Sequence, residues 1–323
     1  MPHIFVTRPI PDAGLKLLRS KKCVVDVYPH DQPIPRGELL KRLKAKKYDG
    51  LISILTDRID ATVLKAAGPQ LKVIANYAVG FDNIDVEAAR HHGVTITNTP
   101  GPEISESVAE HTIALLFALT HRIVEADQFA RDGRYKSWGP QQLLGTDVIG
   151  KTIGLVGMGR IGQALARRLY DGFGVKIVYT NQTRDVGVEH RERARRLTLP
   201  LLLKTADIVS LHVPLTAQTH HLISIRELKI MKPTAFLINT SRGPVVDEAA
   251  LINALKKKQI AGAALDVFEH EPKIPPALKR MQNVVLTPHT ASATVETRQT
   301  MSRRAAENIL AVLAGHPPKN PIQ

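Results

Sequence analysis

The feature that most constrains this chain is Thr152-Ile-Gly-Leu-Val-Gly157-Met-Gly159-Arg160-Ile161-Gly162, where an apolar, strand-like run breaks into spaced glycines and resumes as a helix-period segment from Ile161 to Leu169. Gly157 permits a tight turn after the strand, Gly159 lets the backbone approach a ligand, and Gly162 lets the helix pack closely. The helix then presents the N–H groups of its first turn to an anion. Strand, glycine turn and helix in this order form the pyrophosphate corner of a dinucleotide-binding sheet, which needs further parallel strands beside it.

The chain supplies them. After Thr152–Gly157, strand-like runs recur at Lys176–Thr180, Asp207–Val213, Ala235–Asn239, Ala263–Val267 and Val284–Thr287, giving six strands with helices between. An earlier series comprises His3–Arg8, Val24–Tyr28, Gly50–Leu55, Lys72–Tyr77 and Val94–Thr97, separated by helical stretches such as Gly37–Lys46 and Asp85–His92. A long helix is expected from Val108 to Arg131, capped by Ser105 or Ser107 and ending near Gly133. A last helix over Ala293–Ala314 should return to the first series. At 323 residues the chain exceeds one compact core. The expected architecture is α/β, with two doubly wound parallel-sheet domains. A Rossmann cofactor domain at 101–290 is inserted into a smaller, flavodoxin-like substrate or lid domain made of residues 1–100 and 291–323.

An NAD-selective sheet places an acid about 20 residues beyond the glycines, on the ribose 2′-hydroxyl. Here the strand end is followed by Asn181-Gln182-Thr183-Arg184, and no acid occurs before Asp185. Amides, a hydroxyl and a cation suit a 2′-phosphate, so NADP is the expected cofactor, with NAD possible.

Net charge is +14, from 44 Lys and Arg against 30 Asp and Glu. The basic groups Lys41–Lys47 and Arg191–Arg196 sit at helix-like spacing without interleaved base-stacking aromatics. Solvated helix faces and attraction for anionic small molecules are favoured over nucleic acid. No apolar run approaches a membrane span, and no signal peptide is evident. The single cysteine, Cys23, opens an apolar run and is expected to pack in a reducing cytosol, so a cytoplasmic location follows. No His, Cys and carboxylate spacing resembles a metal site. His91, His92, His220 and His221 lie in polar contexts and are expected at the surface.

Three segments place polar residues just past strands, at the sheet's carboxyl edge where ligands bind. They are Asn239-Thr240-Ser241-Arg242-Gly243, Asp266-Val-Phe-Glu269-His-Glu271-Pro272 and Pro288-His289-Thr290-Ala291. With Asn76–Asp85, the glycine turn and His212-Val-Pro214-Leu-Thr216, they resemble the D-isomer-specific 2-hydroxyacid dehydrogenase family, closest to its glyoxylate/hydroxypyruvate reductase branch. The resemblance covers essentially the whole chain. It implies that Arg242, Glu271 and His289 are catalytic. Taken singly, Glu271 or Glu269 reads as a loop acid, His289 as a turn residue and Arg242 as a sheet-edge charge.

The chemistry agrees. Reducing a 2-oxo acid needs a hydride at the carbonyl carbon and a proton at its oxygen. An imidazolium donates that proton, and a carboxylate on its other nitrogen favours the charged ring and fixes its orientation. Arginine contacts the substrate carboxylate and the developing oxyanion.

The resemblance further implies substrate contacts at Leu55, Val79, Gly80 and Arg242, with the Val79-Gly80 N–H groups on the carboxylate. Around the cofactor it implies Gly157, Gly159, Arg160, Ile161, Gly162, Asn181, Gln182, Thr183, Arg184, Pro214 and Thr219. It adds Thr240, Ser241, His289 and Ala291, and puts Asp266 on the nicotinamide carboxamide. The position of Ala291 often holds Gly in the family. The small apolar wall at Leu55 and Val79 suggests glyoxylate or hydroxypyruvate. A homodimer is implied, through the Val108–Arg131 helix and the Gly133–Gly145 loop with Trp138. Alternatives are a phosphite dehydrogenase-like oxidoreductase, whose lysine is Val79 here, and a nucleotide-sensing, corepressor-like binding protein.

Overall fold

In the computed structural model, which describes residues 1–322, the chain forms two compact units. One is Met1–Ile104 with the segment from Ala293 onward, and the other is Ser105–Ser292.

The first unit alternates β1 (His3–Val6), α1 (Asp12–Ser20), β2 (Val24–Val27), α2 (Arg36–Ala45), β3 (Gly50–Ile54), α3 (Ala61–Ala67), β4 (Val73–Tyr77), α4 (Val86–His91) and β5 (Thr95–Thr97). The sheet runs β2-β1-β3-β4-β5, all parallel, which is the flavodoxin-like order. β4 is buried throughout because helices cover both its faces. Asp60 and Asp85 accept N–H groups at the starts of α3 and α4, ending the preceding loops. The C-terminal helix, Val295–Leu313, joins this unit. Its Ser302 hydroxyl accepts the Gly14 N–H (3.0 Å), and its Arg298 carbonyl accepts the Tyr77 hydroxyl (2.7 Å). Cys23 is buried and free, and desolvation, then Asp49, pushes its thiol up, as suits a packing residue.

The second unit begins within α5 (Pro102–Thr120) and continues through α6 (Ile123–Arg131), β6 (Thr152–Val156), α7 (Arg160–Phe173), β7 (Lys176–Thr180), α8 (Val186–Arg191) and β8 (Arg195–Arg196). It ends with α9 (Leu199–Thr205), β9 (Ile208–Leu211), α10 (Ile225–Ile230), β10 (Phe236–Asn239), α11 (Glu248–Lys256), β11 (Gly262–Leu265), α12 (Pro276–Lys279) and β12 (Val284–Leu286). The parallel order is β12-β11-β10-β9-β6-β7-β8. Strand order reverses between β6 and β9, so the glycine turn lies at the switch point of a Rossmann sheet. One buried cluster packs Leu202, Leu228 and Leu251 against one face, and another packs Leu116, Leu165 and Leu169 against the other. Strands between two such layers read as continuous apolar runs rather than alternating ones.

Three sequence expectations change. The sheet has seven strands rather than six, because Arg195–Arg196 pairs with Val178–Tyr179 as a two-residue edge strand. No apolar run marks such an edge. The expected helix from Val108 to Arg131 is two helices. Arg122 takes a left-handed conformation (φ 54°), and the Thr120 carbonyl accepts the Thr146 N–H (2.9 Å) instead of continuing the helix. The first helix also starts at Pro102, so Ser105 and Ser107 are buried inside it rather than capping it.

Candidate active site

Arg242, Glu271 and His289 all belong to the second unit and follow β10, β11 and β12 in turn. The turn after β10 is fixed by Asn239, which is fully buried. Its Oδ1 accepts the Ser241 N–H (3.0 Å) and hydroxyl (2.8 Å), and its Nδ2 donates to the Arg242 carbonyl (2.9 Å). The half-buried Arg242 then donates from Nη1 to the Ser241 carbonyl. Thr240 is buried, its hydroxyl 3.0 Å from that of Thr112.

His289 Nδ1 lies 2.9 Å from Glu271 Oε2, while Glu271 Oε1 accepts the Phe268 N–H (3.1 Å). Both carboxylate oxygens are thereby used, and Nε2 is the ring nitrogen left to face a ligand. His289 has φ 57°, a left-handed conformation uncommon for a residue with a Cβ. It is kept there by its N–H, which reaches the Asp266 carbonyl (2.8 Å) and the Thr287 carbonyl (3.1 Å).

Asp266, which the resemblance sets on the nicotinamide carboxamide, also has contacts of its own within the fold. Its side chain is fully buried, and its Oδ1 accepts the Thr287 hydroxyl (2.6 Å) and the Thr290 N–H (2.8 Å). Oδ2 accepts the Ala291 N–H (2.9 Å), and His111 Nε2 lies 3.4 Å from Oδ1. Burial pushes this carboxyl up, yet the hydrogen bonds from His111, Thr287, Thr290 and Ala291 prevail and hold it below the usual carboxylate value. Asp266 therefore shapes the His289 loop from within, with Ala291 buried beside it.

A second His–Glu pair involves the same loop, two residues before Glu271. His221, expected at the surface, is half-buried with Nε2 2.7 Å from Glu269 Oε1. Glu269 Oε2 accepts the Glu248 N–H (3.2 Å), and Glu248 Oε1 accepts the Glu269 N–H (2.9 Å). Desolvation, then the Glu269 charge, raises the Glu248 carboxyl. This reciprocal clasp anchors the loop two residues before Glu271. His221→Ala is expected to lower kcat roughly tenfold at unchanged cofactor affinity, because a loosened loop displaces the Glu271–His289 pair. Steady-state kinetics with a parallel binding titration check this, and an unchanged kcat would remove the clasp from the account.

The glycine corner fits a dinucleotide. Gly157 has φ 100°, and a Cβ there would meet the His212 carbonyl oxygen at 2.6 Å. A Cβ on Gly162 would lie 2.4 Å from the Gly157 carbonyl oxygen, whereas one on Gly159 would meet nothing within 4 Å. Gly157 and Gly162 are demanded by the fold; Gly159 faces open space where a pyrophosphate would lie. α7 starts at Gly159 without a side-chain cap, leaving the N–H groups near Arg160 and Ile161 for an anion. Asn181 ties the next strand end to this turn, its Oδ1 accepting the Met158 N–H (3.4 Å) and its Nδ2 donating to the Thr183 carbonyl (3.1 Å). Gln182, Thr183 and Arg184 are exposed. Asp185 is turned away to cap α8, accepting the Val188 N–H and, at 2.8 Å, Gln163 Nε2. The Thr219 hydroxyl closes the next loop by donating to the Pro214 carbonyl (2.6 Å).

Leu55, Val79 and Gly80 lie in the first unit, just past β3 and β4. Asn98 Nδ2 donates to the Val79 carbonyl (2.6 Å) and Asn76 Nδ2 to the Gly80 carbonyl (2.9 Å), which pins that turn. Among the described residues, no three His, Cys, Asp or Glu side chains group as a metal site, and no helix is long and apolar enough to cross a membrane.

Residues 113–291 match the family model described as D-isomer specific 2-hydroxyacid dehydrogenase, NAD binding domain. The chain is 48% identical over 323 residues to a glyoxylate reductase of Thermococcus litoralis, covering 99% of this chain and 96% of that one. It is 51% identical over 321 residues to a glyoxylate reductase of Thermofilum pendens, covering 98% and 93%. Among solved structures, an NADPH-dependent glyoxylate/hydroxypyruvate reductase from Sinorhizobium meliloti, in complex with NADP and malonate, superposes with TM-score 0.86 at 34% identity, covering 99% and 96%.

Proposed function

The chain belongs to the D-isomer-specific 2-hydroxyacid dehydrogenase family, in its glyoxylate reductase branch, and on that premise we propose that it reduces glyoxylate or hydroxypyruvate to the 2-hydroxy acid, with NADPH preferred to NADH. The observation that carries the proposal is the His289–Glu271 pair, which leaves Nε2 as the ring nitrogen open to a ligand, with Arg242 at the end of a nearby strand of the same sheet. When bound, the nicotinamide supplies the hydride to the carbonyl carbon. His289 Nε2 gives its proton to the carbonyl oxygen, and Glu271 holds the ring and balances its charge. Arg242 binds the substrate carboxylate and meets the charge that develops on the oxygen.

Substrate contacts are assigned to Leu55, Val79 and Gly80 as well. Asn98 and Asn76 hold the carbonyls of Val79 and Gly80, while the two N–H groups have no partner among the described residues, which supports their use on a carboxylate. The preference for NADPH rests on the 181–184 loop, where the nearest carboxylate, Asp185, is already committed to α8 and Gln163. A homodimer is proposed through α6 and the loop after it, on which Ile123, Val124, Tyr135, Trp138 and Leu144 are exposed.

The expected result is NADPH oxidation with glyoxylate and hydroxypyruvate, at a kcat/KM at least about tenfold above that with NADH, since a 2′-phosphate contact contributes one or more charge-assisted bonds. A steady-state panel of oxo acids with both nucleotides measures it. Tight nucleotide binding without turnover of any 2-oxo acid would instead favour a sensing protein.

A further inference from the structure

Arg184, the cation that the sequence offers to a 2′-phosphate, is not electrostatically available in the fold. Its Nε and Nη2 contact Glu189 Oε2 at 2.7 and 2.6 Å. Glu189 is itself fixed by the Tyr179 hydroxyl, which donates to Oε1 (2.8 Å). A phosphate brought to Arg184 would meet this carboxylate as well, so the pair offers no net charge.

The surplus charge comes from the edge strand. β8 sets Arg195 and Arg196 beside Val178 and Tyr179, one residue short of the β7 end where the 181–184 loop departs. Arg196 Nη2 donates to the carbonyls of Asn181 and Gln182, both at 2.9 Å, which fixes its guanidinium beneath the loop. Both of these bonds use one terminal nitrogen, and the rest of the fork is left for another acceptor. Arg196 makes no ion pair within 4.0 Å among the described residues, and Thr180, Arg184, Glu189, Arg195, Arg196 and Thr198 line one open pocket there, in which three guanidiniums face a single carboxylate. Arg195, one residue earlier, lines the same pocket, but among the described residues it is Arg196 that bonds the loop carbonyls.

We infer that Arg196, reaching in from the edge strand, reads the 2′-phosphate of the nucleotide, and that Arg184 serves Glu189 instead. This rests on the NADPH reading above. It makes Arg196 a specificity residue as well as a support for the loop, and the two roles separate by probe. A supporting role affects every adenine nucleotide, whereas a phosphate contact affects only those with a 2′-phosphate.

The test is calorimetric titration of the full chain with 2′,5′-ADP and with 5′-AMP, neither of which turns over. Wild type should bind 2′,5′-ADP more tightly. Arg196→Gln should weaken 2′,5′-ADP about ten- to a hundredfold more than it weakens 5′-AMP, the range of a lost charge-assisted pair. Arg196→Lys should recover part of the loss, and Arg184→Gln should cost less than about threefold. The inference is overturned if Arg184→Gln takes the loss, or if Arg196→Gln weakens both probes equally. Wild type showing no preference between the probes would overturn the NADPH reading itself, and this inference with it.

Discussion

His289→Ala is expected to lower kcat for glyoxylate about a hundred- to ten-thousandfold, the contribution of a positioned general acid, while NADPH affinity stays within about threefold. The size of the loss follows from how the ring is held. Its Nδ1 is committed to Glu271, and its backbone is fixed in a left-handed conformation by the carbonyls of Asp266 and Thr287. No neighbouring histidine can take over, because His221 is bound to Glu269 and His111 faces Asp266. Glu271→Gln should lose less than His289→Ala, since an amide still orients the ring but carries no charge to balance the imidazolium. The double variant should resemble His289→Ala alone, because two residues acting as one unit do not add. Single-turnover and steady-state rates measured with a cofactor titration decide the matter. A His289→Ala enzyme keeping more than about a tenth of wild-type kcat would mean that the proton comes from elsewhere.

Gly243→Ala is expected to unfold the site rather than retune it. A Cβ at Gly243 would lie 1.9 Å from the carbonyl carbon and oxygen of Phe268 and 2.5 Å from the Glu269 nitrogen, all backbone atoms with no rotamer to yield. The Arg242 turn and the Glu271 loop touch at this point. Forcing them apart should cost about 2–4 kcal/mol, as overpacking of a rigid contact does. It should lower the unfolding midpoint by roughly 5–15 °C. The same displacement shifts the Arg242 turn relative to the Glu271 loop, so kcat/KM in any folded protein should fall at least about a hundredfold. Calorimetry and kinetics on one preparation test both parts. Wild-type stability with wild-type turnover would show that the two loops move independently.

Much of the site was legible because its residues are local signals. The strand, the glycine turn and the helix at Thr152–Leu169 lie within a few residues of one another, so periodicity and glycine spacing expose them directly. Arg242, Glu271 and His289 each follow an apolar strand, and the rule that ligands gather at carboxyl ends singles them out. The seventh strand was not legible, since Arg195 and Arg196 carry no apolar pattern and owe their extended form to pairing with β7. The break at Arg122 was equally silent. A left-handed residue there depends on the Thr120 carbonyl being taken by Thr146, which lies 26 positions further on.

Sequence alone determined the chemical inventory of this protein: a glycine corner for a dinucleotide, a loop without an acid at the next strand end, and a cation, a carboxylate and an imidazole on three successive strand ends. Only the tertiary structure decided how that inventory is wired. It set Nδ1 rather than Nε2 against Glu271, closed Asp266 inside the His289 loop, and clasped Glu269 between His221 and Glu248. It also paired Arg184 with Glu189 and set Arg196 against the carbonyls of Asn181 and Gln182. The reason is one of range. Strand, turn and helix preferences act over a few neighbouring residues, whereas the partner of a charged group is whichever residue the packed sheet sets within about 3 Å.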